Sequence, residues 1–208
     1  MNDYPAMQIL AATNNPAKVA RLRLLLAGQD VIVTTPTEAG ITAVEVEEGS
    51  DLFENAERKA RAYFGKTDLP ILGMDSAFVI PGTELDPAKV RRNALEGQDE
   101  AALSADEIAK LMVAYYRRIA EAHGGRAPAY WQDVFALLNP DGTLKTDESR
   151  RPVILTPEVR GQTVPNFPLR SMYIVEATGK YATEQTEEEE LVELKPYQQA
   201  LRRLLDLR

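Results

Sequence analysis

The 208-residue sequence has no cysteine, a single histidine and a single tryptophan, and its charge leans one way: 24 Lys and Arg against 32 Asp and Glu, a formal net charge of -8. Without cysteine there is no disulfide, no thiolate metal site and no cysteine nucleophile, which suits a reducing compartment. The lone His123 excludes multi-histidine metal sites. There is no uninterrupted apolar stretch long enough to span a bilayer and no signal-peptide pattern at the start. The expectation is a soluble cytoplasmic protein with no membrane partner. The acidic balance argues against binding a nucleic-acid polymer, which needs cationic surface to displace counterions. It leaves a nucleotide substrate open, because a few local lysines and a divalent cation can meet a triphosphate. What is present is an ordinary globular composition, 44% hydrophobic and 27% charged, enough for one core or two small lobes.

The most informative stretch is Ile71-Leu72-Gly73-Met74-Asp75-Ser76-Ala77-Phe78-Val79-Ile80, two apolar runs around a polar break holding one carboxylate. Such a run predicts a buried strand that opens into a site and resumes. A buried carboxylate is costly unless a metal ion or ligand pairs with it. Alternatively, Asp75-Ser76 is a turn whose side chains bond nearby backbone N–H groups.

Upstream, residues 8–12 predict a first strand, Thr13-Asn14-Asn15-Pro16 a polar turn, and residues 17–26 a helix burying Val19, Leu22, Leu25 and Leu26. Strand, tight turn and helix aim backbone N–H groups at an anion. Lys18 in the first helical turn opposes the dipole, so it either meets phosphate or is a solvated surface lysine. Residues 31–33 predict a second strand. Asp51 opens a helix to about Phe64 with a stripe of Leu52, Ala56, Ala60 and Phe64, while Asn55 and Lys59, four apart, can reach one ligand.

Further on, residues 84–97 are polar, with Arg91 and Arg92 as weak phosphate-contact candidates. Ser104 to Glu107 spell a capping box, and the helix that follows presents Ile108, Leu111, Met112, Tyr115 and Ile119 before stopping near Gly124-Gly125. His123 falls at its C-terminal end, a structural position. Residues 130–138 predict a strand, 139–143 a turn and a second strand beyond it, with further strands at 151–159 and 171–177. Glu187 to Glu190 read as a solvated acidic run, and Pro196 starts a last helix with Tyr197, Leu201, Leu204 and Leu205 on one side.

Three of these segments, in order, resemble the inosine triphosphate pyrophosphatase family. Thr13-Asn14-Asn15-Pro16-Ala17-Lys18 resembles its T-G-N-x-x-K signature. Residues 47–60 resemble its E-T-G-x-T-F-x-E-N-A-x-x-K-A segment at Glu47, Gly49, Glu54, Asn55, Ala56, Lys59 and Ala60. Residues 73–78 resemble its A-D-D-S-G-L segment, followed by Pro81-Gly82. Asn14 replaces the family's glycine, Arg21 its acidic residue, Met74 the first aspartate and Ala77 the last glycine. The base-reading half departs further. Asn166-Phe167-Pro168-Leu169-Arg170 stands for F-G-Y-D-P, and Lys195-Pro196-Tyr197 for S-H-R.

The resemblance implies an α/β fold in a single domain over residues 1–208, with an elongated mixed central sheet flanked by helices and two lobes with a cleft between them. It implies a Mg²⁺-dependent nucleoside triphosphate pyrophosphatase that cuts between the α- and β-phosphates and clears non-canonical nucleotides, here with altered base preference, as a homodimer. In that reading Asp75, Lys18 and Glu47 are catalytic, and Glu47 and Asp75 hold the metal. Thr13, Asn14, Asn15, Lys18, Asn55, Lys59, Ser76, Phe167 and Arg170 bind substrate. The alternative is a nucleotide-binding or scaffold protein that kept the fold and lost catalysis. A pyrimidine-directed branch of the same fold ranks below both, because the S-x-S/T-x-R loop it needs after the first strand is absent.

Overall fold

The computed structural model describes residues 6–83, 87–165 and 167–207. In chain order the elements are β1 (Met7–Ala11), α1 (Pro16–Leu25), β2 (Val31–Thr34), α2 (Leu52–Arg61), β3 (Ile71–Val79), α3 (Pro87–Ala94), α4 (Ala105–Ala122), β4 (Ala127–Leu138), β5 (Leu144–Leu155), β6 (Tyr173–Val175), β7 (Lys180–Tyr181), α5 (Glu187–Glu193) and α6 (Lys195–Leu204). The strands form one seven-stranded mixed sheet in the order β2-β1-β3-β4-β5-β6-β7. β1 pairs in parallel with β2 and β3, whereas β5–β6 and β6–β7 are antiparallel. The expected α/β fold with a mixed sheet and flanking helices is what forms. Among the described residues no helix is long and apolar enough to cross a membrane.

The chain divides into two compact units. The first comprises residues 1–76, 133–149 and 196–208. Its parallel strands are joined by helical crossovers, as parallel pairing requires. Ile9, Leu10, Leu22, Leu25, Leu72, Phe135, Leu138 and Leu201 are essentially inaccessible in its core. Tyr197 of α6 packs edge-on against Phe135 at 4.6 Å. Phe64 does not complete the stripe of α2. The helix ends at Arg61, the phase shifts, and Tyr63 takes the buried position while Phe64 is 45% exposed.

The second unit comprises residues 77–132 and 150–195. An aromatic cluster of Phe78, Tyr116, Trp131 and Tyr173 anchors it, with Phe78–Trp131 at 5.2 Å and Phe78–Tyr116 at 5.6 Å. Burial pushes the Tyr173 phenol up to about 12. The Ser104–Glu107 capping box forms as expected. The buried side of α4 is Ala109, Tyr116 and Ala120, and the expected face is half-buried beside it.

Three expectations change. The strands expected beyond the turn and at 151–159 are one strand, β5, because the long hairpin partner β4 carries the ladder through; Pro157, with no N–H, lies just past its end. The strand expected at 171–177 shrinks to β6, preceded by a 3₁₀ turn at Pro168–Ser171. The acidic run is a short helix, α5, whose Glu193 is buried in an ion pair with Arg151 at 2.6 Å.

Candidate active site

The site grows from the start of α1. Asn15 is the N-cap, and its side-chain oxygen accepts the N–H groups of Ala17 and Lys18 at 3.0 and 3.3 Å. Pro16 follows at the first helical position, where it has no N–H to lose. The cap therefore occupies backbone donors that the sequence suggested for an anion. What remains are side chains. Thr13 Oγ1 accepts from Asn15 N at 3.1 Å and keeps its own hydrogen to donate. Asn14 Oδ1 accepts from the Thr37 hydroxyl at 3.0 Å, which leaves the Asn14 amide hydrogens as donors. Lys18 sits one residue short of the buried Val19 and is itself partly buried. Among the described residues no carboxylate lies within ion-pair distance of it. Burial, with help from neighbouring Lys59, holds its pKa below the ordinary lysine value.

The second half comes from β3 and α2. The strand runs unbroken through the polar break, so Asp75-Ser76 is not a turn. Asp75 is buried, at 6% exposure, and both its oxygens are used: Oδ1 accepts from Lys59 Nζ and Oδ2 from Asn55 Nδ2, each at 2.8 Å. Lys59 Nζ also pairs with Glu48 at 2.7 Å. Burial opposes the charge on Lys59, yet the hydrogen bonds to Asp75 and Glu48 carry its pKa above the ordinary value. Asn55 spends its amide locally: Oδ1 accepts from Gly49 N, and Nδ2 donates to Gly49 O and Asp75. It ties the 40–50 loop to β3 through Gly49 and Asp75.

This geometry depends on Gly73. A Cβ there would lie 2.0 Å from Ala56 O and 2.8 Å from Ala60 N, so only glycine lets α2 approach β3 this closely.

Lys18 and Lys59 border a cavity of about 290 Å³; Asp75, bonded to Lys59, is not among the residues that line it. Thr13, Asn14, Asn15 and Lys18 line it, together with Glu48 and Lys59; Val44, Val46, Tyr63 and Met74 supply its apolar wall. Met74 accepts a hydrogen bond from the Tyr197 hydroxyl through its sulfur at 3.4 Å.

The structure sorts the sequence candidates. Thr13, Asn14, Asn15, Lys18, Lys59 and Asp75 come together, with Asn55 behind Asp75. Glu47 does not join them: its side chain is exposed, and it is the neighbouring Glu48 that reaches Lys59. Ser76 donates to Asp133 at 2.8 Å. Asp133, 1% exposed, was not legible as a site residue, because nothing but the pairing of distant strands brings it to Ser76.

Phe167 and Arg170 belong to the second unit. Arg170 is committed to Glu190 at 2.8 Å and to the Ala182 carbonyl at 3.0 Å, and Phe167 is half-buried next to a short 3₁₀ turn. Asn166 lies outside the described residues. Arg91 pairs with Glu100 at 2.7 Å on the surface, and His123 caps α4 with Nδ1 2.8 Å from Ile119 O.

The profile of the Ham1 family matches residues 9–207. A dITP/XTP pyrophosphatase of Yersinia pestis is 30% identical over 184 residues, covering 88% of this chain and 88% of that protein. A dITP/XTP pyrophosphatase of Symbiobacterium thermophilum is 33% identical over 138 residues, 65% of this chain and 63% of that protein. Among solved structures, a HAM1 protein from Coxiella burnetii superposes with a TM-score of 0.74 at 23% identity, covering 96% of this chain and 98% of that one. A nucleoside-triphosphatase / dITP/XTP pyrophosphatase from Mycobacterium abscessus gives 0.68 at 24% identity, covering 96% and 99%.

Proposed function

Because the chain belongs to the Ham1 family, we propose that it hydrolyses nucleoside triphosphates between the α- and β-phosphates, releasing a monophosphate and pyrophosphate. The observation that carries this reading is the charge arrangement in the cavity. Lys59 is neutralised by Asp75 and Glu48, whereas Lys18 brings a partly buried ammonium that no carboxylate among the described residues pairs at ion-pair distance. A cation outside any such ion pair in a polar cavity suits a polyanion.

In this reading Thr13 and Asn14 donate to phosphate oxygens and Lys18 neutralises their charge. Asp75 orients the attacking water and accepts its proton as the oxygen bonds to the α-phosphorus and the pyrophosphate oxygen leaves. Lys59 and Asn55 hold that carboxylate in place.

Mg²⁺ fits the donor set. Among the described residues no group of three His, Cys, Asp or Glu stands ready to cage a metal. Mg²⁺ is ordinarily held by one or two carboxylates plus substrate phosphates. Asp75 would hold it, with Glu48 better placed than Glu47 as the second ligand, and its charge would neutralise the phosphates.

Altered base preference is part of the same reading. At the start of α6, Tyr197 is buried and bonded to Met74, so that residue is not available to read a base. We place the enzyme in the cytoplasm as a homodimer that clears non-canonical nucleotides. The apolar Met74 beside Asp75 favours one competing reading, a binding protein without turnover.

Pyrophosphate release with Mg²⁺ from ITP, XTP, the four common ribonucleotides, dUTP and dTTP separates the two. Turnover of at least one, lost by about 10²-fold or more in Asp75→Asn, is expected. A folded protein silent across the panel but thermally stabilised by a nucleotide would establish the binding reading instead.

A further inference from the structure

The first unit buries a second carboxylate, deeper than Asp75. Asp133 is 1% exposed against 6% for Asp75. It lies inside β4 and accepts the hydroxyl of Ser76, the residue that follows Asp75 on β3, at 2.8 Å. The β4–β5 hairpin is closed by a bond from Asn139 N to Thr143 O, and its strands run Ala127–Leu138 and Leu144–Leu155. That register sets Ser149 opposite Asp133, on the same face of the ladder. Ser149 Oγ is buried and has no hydrogen-bond partner among the described residues. The Ser76 hydroxyl thus joins β3 to the buried carboxylate of β4.

An asparagine of the same shape would accept the Ser76 hydroxyl without the cost of desolvating a charge. The charge has a use towards the cavity. Lys18 feels the field of Asp133, which favours its ammonium form against burial and the nearby Lys59. Asp75 and Glu48, which Lys59 holds at ion-pair distance, act on Lys18 in the same direction and more strongly than Asp133.

We propose that Asp133 is a positioning residue of the phosphate site: by accepting the Ser76 hydroxyl it fixes the part of β3 that presents Asp75. The inference rests on the nucleotide-hydrolysis reading above.

The test uses the full chain as wild type, Asp133→Asn, Ser76→Ala and the double variant. The measurements are kcat and KM on a nucleotide the wild type turns over, together with thermal unfolding. Asp133→Asn is expected to keep its melting temperature within a few degrees while kcat falls about tenfold or more. Ser76→Ala should lose less, and the double variant no more than Asp133→Asn alone, since the two residues act as one unit. Wild-type kcat and KM in a folded Asp133→Asn, or strictly additive losses, would overturn the proposal. If Asp133→Asn does not fold, Ser76→Ala carries the test, and unchanged kinetics in it count against the role. A silent wild type would fault the hydrolysis reading instead. Inorganic pyrophosphate binding by calorimetry then decides, with affinity changed by about fivefold or more in both Asp133→Asn and Ser76→Ala expected and wild-type affinity in both refuting.

Discussion

Replacing Gly73 with alanine puts the assembly of the site under direct strain. The added Cβ would stand 2.0 Å from Ala56 O, and ordinary contact begins at 3.4 Å, so α2 or β3 must yield by about 1.4 Å. The clashing atoms are backbone, which cannot rotate away. Asn55 and Lys59 immediately precede Ala56 and Ala60, and both reach Asp75 at 2.8 Å. The same shift that relieves the clash therefore carries both donors out of hydrogen-bond range. Overpacking of this kind costs about 1–3 kcal/mol. At roughly 2–4 °C per kcal/mol for a chain of this size, the melting temperature should fall by about 2–12 °C. Misplacement by about an ångström costs on the order of 10²-fold in turnover. Thermal unfolding and pyrophosphate release on the same sample read both effects. A Gly73→Ala protein with wild-type melting temperature and kcat would refute the claim that this close approach builds the site.

Two further outcomes follow from charge. Lys18 has a lowered pKa in the folded state, so between that value and the ordinary 10.5 the unfolded chain binds more protons than the folded one. Its contribution therefore favours folding increasingly as pH rises through that window and is lost as pH falls through the folded pKa. Lys18→Met should flatten this alkaline rise in unfolding titrations and weaken pyrophosphate binding at neutral pH. An unchanged pH slope would count against the burial of that ammonium. In the second unit, Arg151→Met leaves Glu193 as a buried charge stripped of its 2.6 Å ion-pair partner, with both side chains only 4% exposed in the native pair. Chemical denaturation should show a loss of about 3–5 kcal/mol, and a loss under 1 kcal/mol would mean that the pair is not buried as described.

Local patterns made much of the molecule legible. The β1–turn–α1 unit, the stripe of α2, the capping box of α4, the apolar side of α6 and the strand bearing Asp75 all follow from spacing within a dozen residues. Those interactions are set by backbone periodicity and capping chemistry, which sequence carries directly. That Lys18, Lys59 and Asp75 lie near one another was expected on the same ground, helped by resemblance to a known family.

Tertiary structure alone decided the rest. Whether Glu47 or Glu48 meets Lys59 depends on how an irregular loop turns, since neighbouring side chains leave an extended chain in different directions. Helical spacing puts Asn55 near Lys59, but only packing shows that its amide bonds Gly49 and Asp75. The need for glycine at position 73 appears only when a helix lies against that strand. Asp133 meets Ser76 across 57 residues of sequence because β4 pairs next to β3 in the sheet. Periodicity fixes which face of its own element a residue occupies. Which distant element covers that face is settled by the fold as a whole.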